Sequence, residues 1–196
     1  MPHLSSMFIV FEGIDGTGKS TQVKLLAEAF RAKGKEVIVS KEPTDGPHGT
    51  RLRKSAETGR LSAQEELDLF HLDRREHVET LINPALARGA VVILDRYYFS
   101  TMAYQGIRGF DPREIRRINE KFAPLPDLVF ILELNLDSAL SRIGVRDGQA
   151  NEFEQRDALQ KCHDVFASLE DKFVRRIDAE QSPAEVHEKI AQYLDL

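Results

Sequence analysis

The stretch Glu12-Gly13-Ile14-Asp15-Gly16-Thr17-Gly18-Lys19-Ser20 decides the fold. From Gly13 to Ser20 it is a complete G-x-x-x-x-G-K-S/T phosphate-binding loop. Ahead of it, Met7–Phe11 is an apolar run of strand length. Behind it, Val23, Leu26, Ala27 and Phe30 recur at helical spacing between Thr21 and Lys33. Strand, glycine turn and helix form the context that this loop needs. Its glycines let backbone N–H groups converge on phosphate oxygens, Lys19 reaches the outer phosphates, and the Ser20 hydroxyl is a ligand for Mg²⁺. Gly13, Ile14, Asp15, Gly16, Thr17, Gly18, Lys19, Ser20 and Thr21 are therefore predicted to hold a nucleoside triphosphate.

Working outward, apolar and β-branched runs recur at Met7–Phe11, Glu36–Ser40, Ala90–Leu94, Leu128–Leu134 and Phe173–Ile177. Helical patterns separate them: Lys19–Lys33, Thr50–Thr58, Ala63–Ala87, Phe99–Gln105, Pro112–Lys121, Leu136–Arg142, Glu154–Lys172 and Pro183–Leu194. Gly34, Gly89 and the pair Pro124/Pro126 are stop signals. This alternation predicts an α/β three-layer sandwich of the P-loop NTPase type. Its parallel sheet has five strands, helices cover both faces, and a short lid spans about residues 142–154. Arg175 and Arg176 interrupt the last strand pattern. The polar segment Gly144–Asn151, with two glycines, reads either as a flap or as a surface loop. One domain, residues 1–196, is expected.

Composition bounds the function. The chain has 196 residues, 41% of them hydrophobic and 30% charged, which is ordinary for a globular domain with a sizeable core. A net charge of -5 does not suit a protein that lives on a nucleic-acid backbone, so no nucleic-acid partner is expected. The single cysteine, Cys162, excludes an intrachain disulfide and reads as a helix residue near the core. There is no apolar run long enough to span a membrane, and Met1–Ser6 is too short and polar for a signal peptide. A cytoplasmic protein is expected.

A second constellation follows Val91-Val92-Ile93-Leu94, which runs into Asp95-Arg96-Tyr97. An acid at the carboxyl end of a buried strand lies where open α/β sheets bind ligands, and Asp95 is predicted to share Mg²⁺ with Ser20. Arg96 adds a guanidinium fork suited to phosphate oxygens. Glu12 and Asp15 flank the loop. An acid there binds a hydroxyl of a second substrate, orients water on Mg²⁺, assists proton removal, or caps the turn. A chain of this length with one phosphate loop is a small-molecule kinase or a GTPase-type switch, and the guanine-reading Asn-Lys-x-Asp sequence is absent. Arg53, Arg74, Arg75, Arg96, Arg142 and Arg146 are spread as a phosphate-rich cleft requires, which favours a kinase acting on a nucleotide acceptor.

Taken together, these motifs resemble the thymidylate kinase family. The resemblance is carried by Phe11 to Gln22 around the loop, by Lys41-Glu42-Pro43, by Leu69-Phe70 and Asp73-Arg74, and by the run Asp95-Arg96-Tyr97-Tyr98-Phe99-Ser100-Thr101-Met102-Ala103-Tyr104-Gln105-Gly106. Pro126-Asp127 and the lid stretch Arg142–Glu154 complete it, so that it covers about residues 7–180. It implies ATP- and Mg²⁺-dependent phosphorylation of dTMP to dTDP. Phe70 would stack on thymine and Arg74 would bond a base carbonyl. Arg96, with Arg53, would hold the acceptor phosphate. Ser100, Tyr104 and Gln105 would line the base and sugar pocket, with Tyr104 excluding a 2′-hydroxyl. Asp15 would lie near the acceptor 3′-hydroxyl and phosphate, and Glu42 beside it.

The family clamps the transferring phosphoryl group with an arginine from the loop or from the lid. Ile14, Asp15, Gly16 and Thr17 offer no base, so the resemblance implies a lid arginine, Arg146 ahead of Arg142. It also implies a homodimer, and Leu67, Phe70, Leu81 and Ile82 are candidates for the partner face. The sequence departs from the family pattern at Thr44 and Asp45, where two glycines are common, at Lys41, and at Asn151 and Glu152 in the lid. Two other readings remain: a kinase of deoxynucleosides or of another pyrimidine monophosphate, with Glu42 as base for a neutral 5′-hydroxyl, and an inactive nucleotide-binding regulator.

Overall fold

The computed structural model describes residues 6–59, 61–147, 152–194 and 196, with side chains left aside at 145–147 and 152–155. Five parallel strands form one sheet: β1 (Met7–Glu12), β2 (Val37–Lys41), β3 (Val91–Asp95), β4 (Leu128–Glu133) and β5 (Val174–Asp178), in the order β2-β3-β1-β4-β5. Strand β1 is central because it is apolar on both faces, with Phe8, Ile9, Val10 and Phe11 almost wholly buried. The predicted strand boundaries agree to within a residue or so at each end. The two arginines of β5 fit because β5 lies at the sheet edge, where Arg176 donates to three carbonyls at the end of the helix before it: Phe166, Ala167 and Leu169.

Helix α1 (Lys19–Ala32) connects β1 to β2 toward one sheet edge, and α5 (Tyr98–Gly106) leads from β3 toward β4 in the other direction. Right-handed crossovers put these two helices on opposite faces. The crevice between the carboxyl ends of β1 and β3 is thus the switch point where such sheets bind ligands. Register confirms that both ends open together, with Phe11 opposite Asp95 and Lys41 opposite Asp95 on the other side.

The remaining helices are α2 (Pro47–Thr58), α3 (Ala63–His77), α4 (Asn83–Ala87), α6 (Pro112–Asn119), α7 (Leu136–Asp147), α8 (Glu152–Ala167) and α9 (Pro183–Gln192). Four differ from the sequence expectation. Helix α8 ends at Ala167, five residues before the expected Lys172, where the chain turns into β5. Helix α2 starts three residues early because Gly46-Pro47 supplies an N-cap and a proline in the first turn. The predicted helix Ala63–Ala87 is interrupted by a wider π turn at Val78–Ile82, as Pro84 has no N–H for the carbonyl of Thr80. Helix α7 runs on through Gly144 to Asp147, so the first half of the predicted flap is helix rather than loop. Residues 148–151 of the flap lie outside the described residues.

Leu67 and Ile82, candidates for a partner face, are buried in the chain's own core. Cys162 is likewise buried on α8, and desolvation pushes its thiol up to about 12. Among the described residues no helix is long and apolar enough to cross a membrane.

Candidate active site

The donor end is built by one contiguous stretch. Gly13 sits at φ 131, and a Cβ there would stand 2.6 Å from the carbonyl oxygen of Leu132, so the loop leaves β1 through a position that only glycine fits. The chain then wraps around the Lys19 side chain, whose Nζ donates to the carbonyls of Gly13 (3.1 Å) and Ile14 (2.8 Å). Burial lowers the Lys19 pKa, and the like charge of Arg96 adds to the shift. Ser20 Oγ donates to Asp95 Oδ2 at 2.5 Å, which brings the two predicted Mg²⁺ residues together from α1 and β3. Two hard oxygen donors at the mouth of an open cavity fit Mg²⁺, which keeps several waters and bridges to phosphate. Arg142, exposed on α7, reaches back to the carbonyl of Gly16 at 3.3 Å and lines the same cavity. The side chain of Arg146, the first choice from sequence, lies outside the described residues.

The acceptor end is a cavity of about 260 Å³ on the far side of Arg96. Every acceptor residue predicted from sequence lines it: Asp15, Glu42, Arg53, Phe70, Arg74, Arg96, Ser100, Tyr104 and Gln105. They come from the loop, from the exit of β3, from α2, α3 and α5, and from the turn after β2. Asp15 and Arg96 line the donor cavity as well, so this pair is the wall between the two.

Arg96 adopts φ 72, a left-handed conformation rare outside glycine. Its closest contacts are the N–H on Phe11 O (2.9 Å), Nη2 on Asp15 Oδ1 (2.7 Å) and Nη1 on Ser100 Oγ (2.8 Å), with longer bonds to Gly13 O and Tyr104 Oη (both 3.4 Å) and the guanidinium 5.1 Å from the Tyr104 ring centre. Tyr104 Oη donates to the other Asp15 oxygen at 3.1 Å. Burial opposes the Asp15 charge, but Arg96 and Lys19 outweigh it and hold the carboxyl below its usual range.

Beneath Arg96 lies Glu12, which is fully buried. It accepts from the N–H groups of Tyr97 (2.8 Å) and Ser100 (3.2 Å) and from Ser100 Oγ (2.6 Å). Desolvation pushes its pKa up to about 7 against the pull of Arg96 and these donors. The Ser100 hydroxyl thus spends its proton on Glu12 and a lone pair on Arg96, and so acts first as a tether for the arginine.

Arg74 and Glu42 depart further from the sequence reading. Arg74 is almost wholly buried, with Nε on Glu42 Oε2 (2.8 Å), Nη1 on Asn119 Oδ1 (2.7 Å) and Nη2 on Thr101 Oγ1 (3.0 Å). Nη2 also stands 2.7 Å from Glu42 Oε2, so most of the fork faces protein and one N–H of Nη1 is left over. Both Glu42 oxygens are engaged, one by Arg74 and the other by His77 Nδ1 at 3.0 Å. A carboxylate so saturated with donors is a poor general base.

Asp73 points away from the cavity to the turn after β2, where it accepts from Thr44 N (2.8 Å) and Thr44 Oγ1 (2.6 Å). The departure at Thr44 therefore gains a clamp. Gly49 packs so closely that a Cβ would lie 2.1 Å from Thr44 O. Arg53 and Arg96 do face one cavity, but each is held by an acid, Arg53 by Asp45 at 2.9 Å and Arg96 by Asp15. Sequence reasoning missed Asn119, Thr101, His77 and Glu66. Thr101 lies within the quoted run without a role of its own, the other three carry no local motif, and the packing of three helices, α3, α5 and α6, brings all four to the site.

Comparison with known proteins agrees with this geometry. The thymidylate kinase family model matches residues 11–190. A thymidylate kinase of Akkermansia muciniphila is 53% identical over 188 residues, 96% of this chain and 91% of that protein. One from Xanthomonas campestris pv. campestris is 52% identical over 164 residues, covering 84% and 72% respectively. The crystal structure of thymidylate kinase from Ehrlichia chaffeensis superposes with a TM-score of 0.79 at 28% identity, across 97% of this chain and 99% of that one. With the loop, the Asp15–Arg96 wall and the acceptor cavity all inside the matched span, the chain belongs to the thymidylate kinase family.

Proposed function

We propose that this chain transfers the γ-phosphoryl group of ATP, with Mg²⁺, to dTMP, giving dTDP and ADP for dTTP synthesis. The observation that carries the reading is the pair Asp15–Arg96, which lines both cavities. A triphosphate seated on the glycine loop and a monophosphate seated on Arg96 would present their reacting groups to each other across one arginine. Positioning and electrostatic stabilisation then supply the catalysis. Bound Mg²⁺ would neutralise charge on the donor phosphates, held by Ser20 and Asp95.

For the acceptor, Phe70 offers a ring face, Arg74 offers an N–H donor, and Gln105 brings a buried side-chain oxygen that lacks a hydrogen-bond partner. A donor beside an unpaired acceptor suits the O4 and N3–H of a thymine imide. Helix α7 supplies the clamping arginine, from Arg142 or from Arg146 one turn on. A homodimer through α3, where Leu72 is 46% exposed, completes the reading; a single-chain mass at micromolar concentration would exclude it.

The saturated state of Glu42 argues against a deoxynucleoside kinase, whose neutral 5′-hydroxyl needs a free base. ADP release with dTMP, dUMP, dCMP and thymidine as acceptors tests the proposal. The expected order puts dTMP first and thymidine at background. Thymidine turnover matching that of dTMP would overturn it.

A further inference from the structure

Gln105, on α5, is nearly fully buried against the acceptor cavity. Its Nε2 donates to Glu66 Oε2 at 3.1 Å. Glu66, on α3, is itself buried, and the same oxygen takes Nη1 of Arg108, whose Nη2 is fixed on the carbonyl of Leu61 at 3.2 Å. The other end of the Gln105 amide, Oε1, is buried and has no partner.

A side-chain amide has a donor end and an acceptor end of nearly equal shape, and its orientation is set by what surrounds it. A carboxylate salt-bridged to a guanidinium accepts hydrogen bonds and gives none. It therefore takes the Nε2 end of Gln105 and turns Oε1 the other way. If Glu66 were apolar, nothing in this contact would choose between the two orientations.

We infer that Glu66 is a positioning residue for base choice: by holding the amide of Gln105 in one orientation, it makes the site accept a pyrimidine that carries N3–H and reject one that carries a bare N3. This rests on the proposed function, in which the base meets Gln105. Thymine and uracil donate from N3. Cytosine presents a lone pair there, which would face the Gln105 oxygen and leave two buried acceptors opposed. Arg108, which does not line the cavity, serves the same end by anchoring Glu66; Glu66 lies at the cavity wall beside Gln105, and the double variant below separates action through Gln105 from a direct contact.

The test is the ratio of kcat/KM for dTMP over that for dCMP in wild type, Glu66→Leu, Gln105→Leu and the double variant. Leucine fills a similar volume and removes the acceptor, so Gln105 is free to turn. Glu66→Leu is expected to lower the ratio by about tenfold, through better use of dCMP as well as weaker use of dTMP. The double variant should fall no further than Gln105→Leu alone, because Glu66 acts through Gln105.

If Glu66→Leu loses both activities in proportion, its role is structural and the inference is overturned. If Gln105→Leu leaves the ratio unchanged, the base does not meet Gln105 and the reading beneath the inference fails instead. Should Glu66→Leu not fold, the isosteric Glu66→Gln carries the test. An amide at 66 offers Gln105 a donor or an acceptor, so the ratio is expected to fall by about twofold or more, and an unchanged ratio overturns the inference.

Discussion

The two ends of this cleft are made in different ways. The donor end is mostly a single run of residues, Gly13 to Thr21, whose backbone shapes the cavity and around which Lys19 folds back, with Asp95, Arg96 and Arg142 added at its rim. The acceptor end is assembled from several helices and a turn, and a buried ion network underlies it: Arg74, Glu42, His77, Asn119 and Thr101. The first is a local structure that a sheet carries. The second is part of the fold itself. Substitutions at the two ends should therefore fail differently, one in chemistry and the other in stability.

That contrast is sharpest for the two buried cations. Arg74→Met leaves Glu42 and Asn119 without their main partner in a dry site. Breaking a buried pair from one side costs about 3–5 kcal/mol, and urea unfolding should show it as a lower midpoint with an unchanged slope. Lys19→Met should do the reverse. It removes a desolvated ammonium bonded to its own loop, so stability should hold or rise. Meanwhile kcat should fall roughly 100- to 1000-fold, the usual size for one lost donor to a transferring group. If Lys19→Met unfolds the protein while Arg74→Met leaves stability intact, the division between the two ends is wrong.

Legibility follows the same division. The glycine loop could be read outright, because a contiguous motif keeps its spacing in the linear chain. The sheet could be read from five apolar runs, since strands buried on both faces show no polar alternation. Asp95 and Arg96 could be read from their place at a strand end. The acceptor set was found through family resemblance, and its residues do line one cavity. What the resemblance did not carry was how these groups are engaged: Ser100 as a tether, Glu42 as a saturated counter-ion, Asp73 turned to Thr44. Those facts depend on contacts between residues 27 to 88 positions apart, for which no local pattern exists. Two helix limits were missed at prolines: Pro47 opens α2 in its first turn, and Pro84 withholds an N–H from the turn before it.

Glu12 belongs to both ends and gives the contrast a pH signature. Its carboxyl has a pKa of about 7 in the folded protein, against 4.5 for the free group. Between those values the folded state holds the proton and the unfolded chain does not. Stability should therefore fall as pH rises through this window, and the contribution is complete above it. The slope is worth on the order of 3 kcal/mol for a shift of this size. Glu12→Gln removes the titrating group, so wild type should lose stability relative to the variant between about pH 5 and about pH 8. Parallel stability curves would show that the donors from Tyr97 and Ser100 keep Glu12 ionised throughout.

The smallest effect concerns the acid at position 45. Asp45 takes Arg53 Nη2 at 2.9 Å and Lys41 Nζ at 3.2 Å, with its side chain 77% exposed. An acceptor phosphate that called on Arg53 would meet this carboxylate as a rival and as a repelling charge. Asp45→Asn keeps the backbone, including the carbonyl that accepts from Thr50, and removes the charge. Two consequences compete. Loss of the pair lets Arg53 wander, which weakens phosphate binding, while loss of the repulsion strengthens it. Arg53 remains anchored by Nη1 on the carbonyl of Pro43 at 2.8 Å, so relief of repulsion should win. Exposed pairs are worth about 0.2–1 kcal/mol, which sets the gain in dTMP affinity at roughly 1.4- to 5-fold at low salt, shrinking as salt is raised. Thymidine has no phosphate, and its affinity should not move. Calorimetric titration of both ligands separates the cases. Tighter dTMP with constant thymidine marks Asp45 as a rival for Arg53. Weaker dTMP with constant thymidine would make it a guide for that arginine. A matched change in both would place its influence on the base and not on the phosphate.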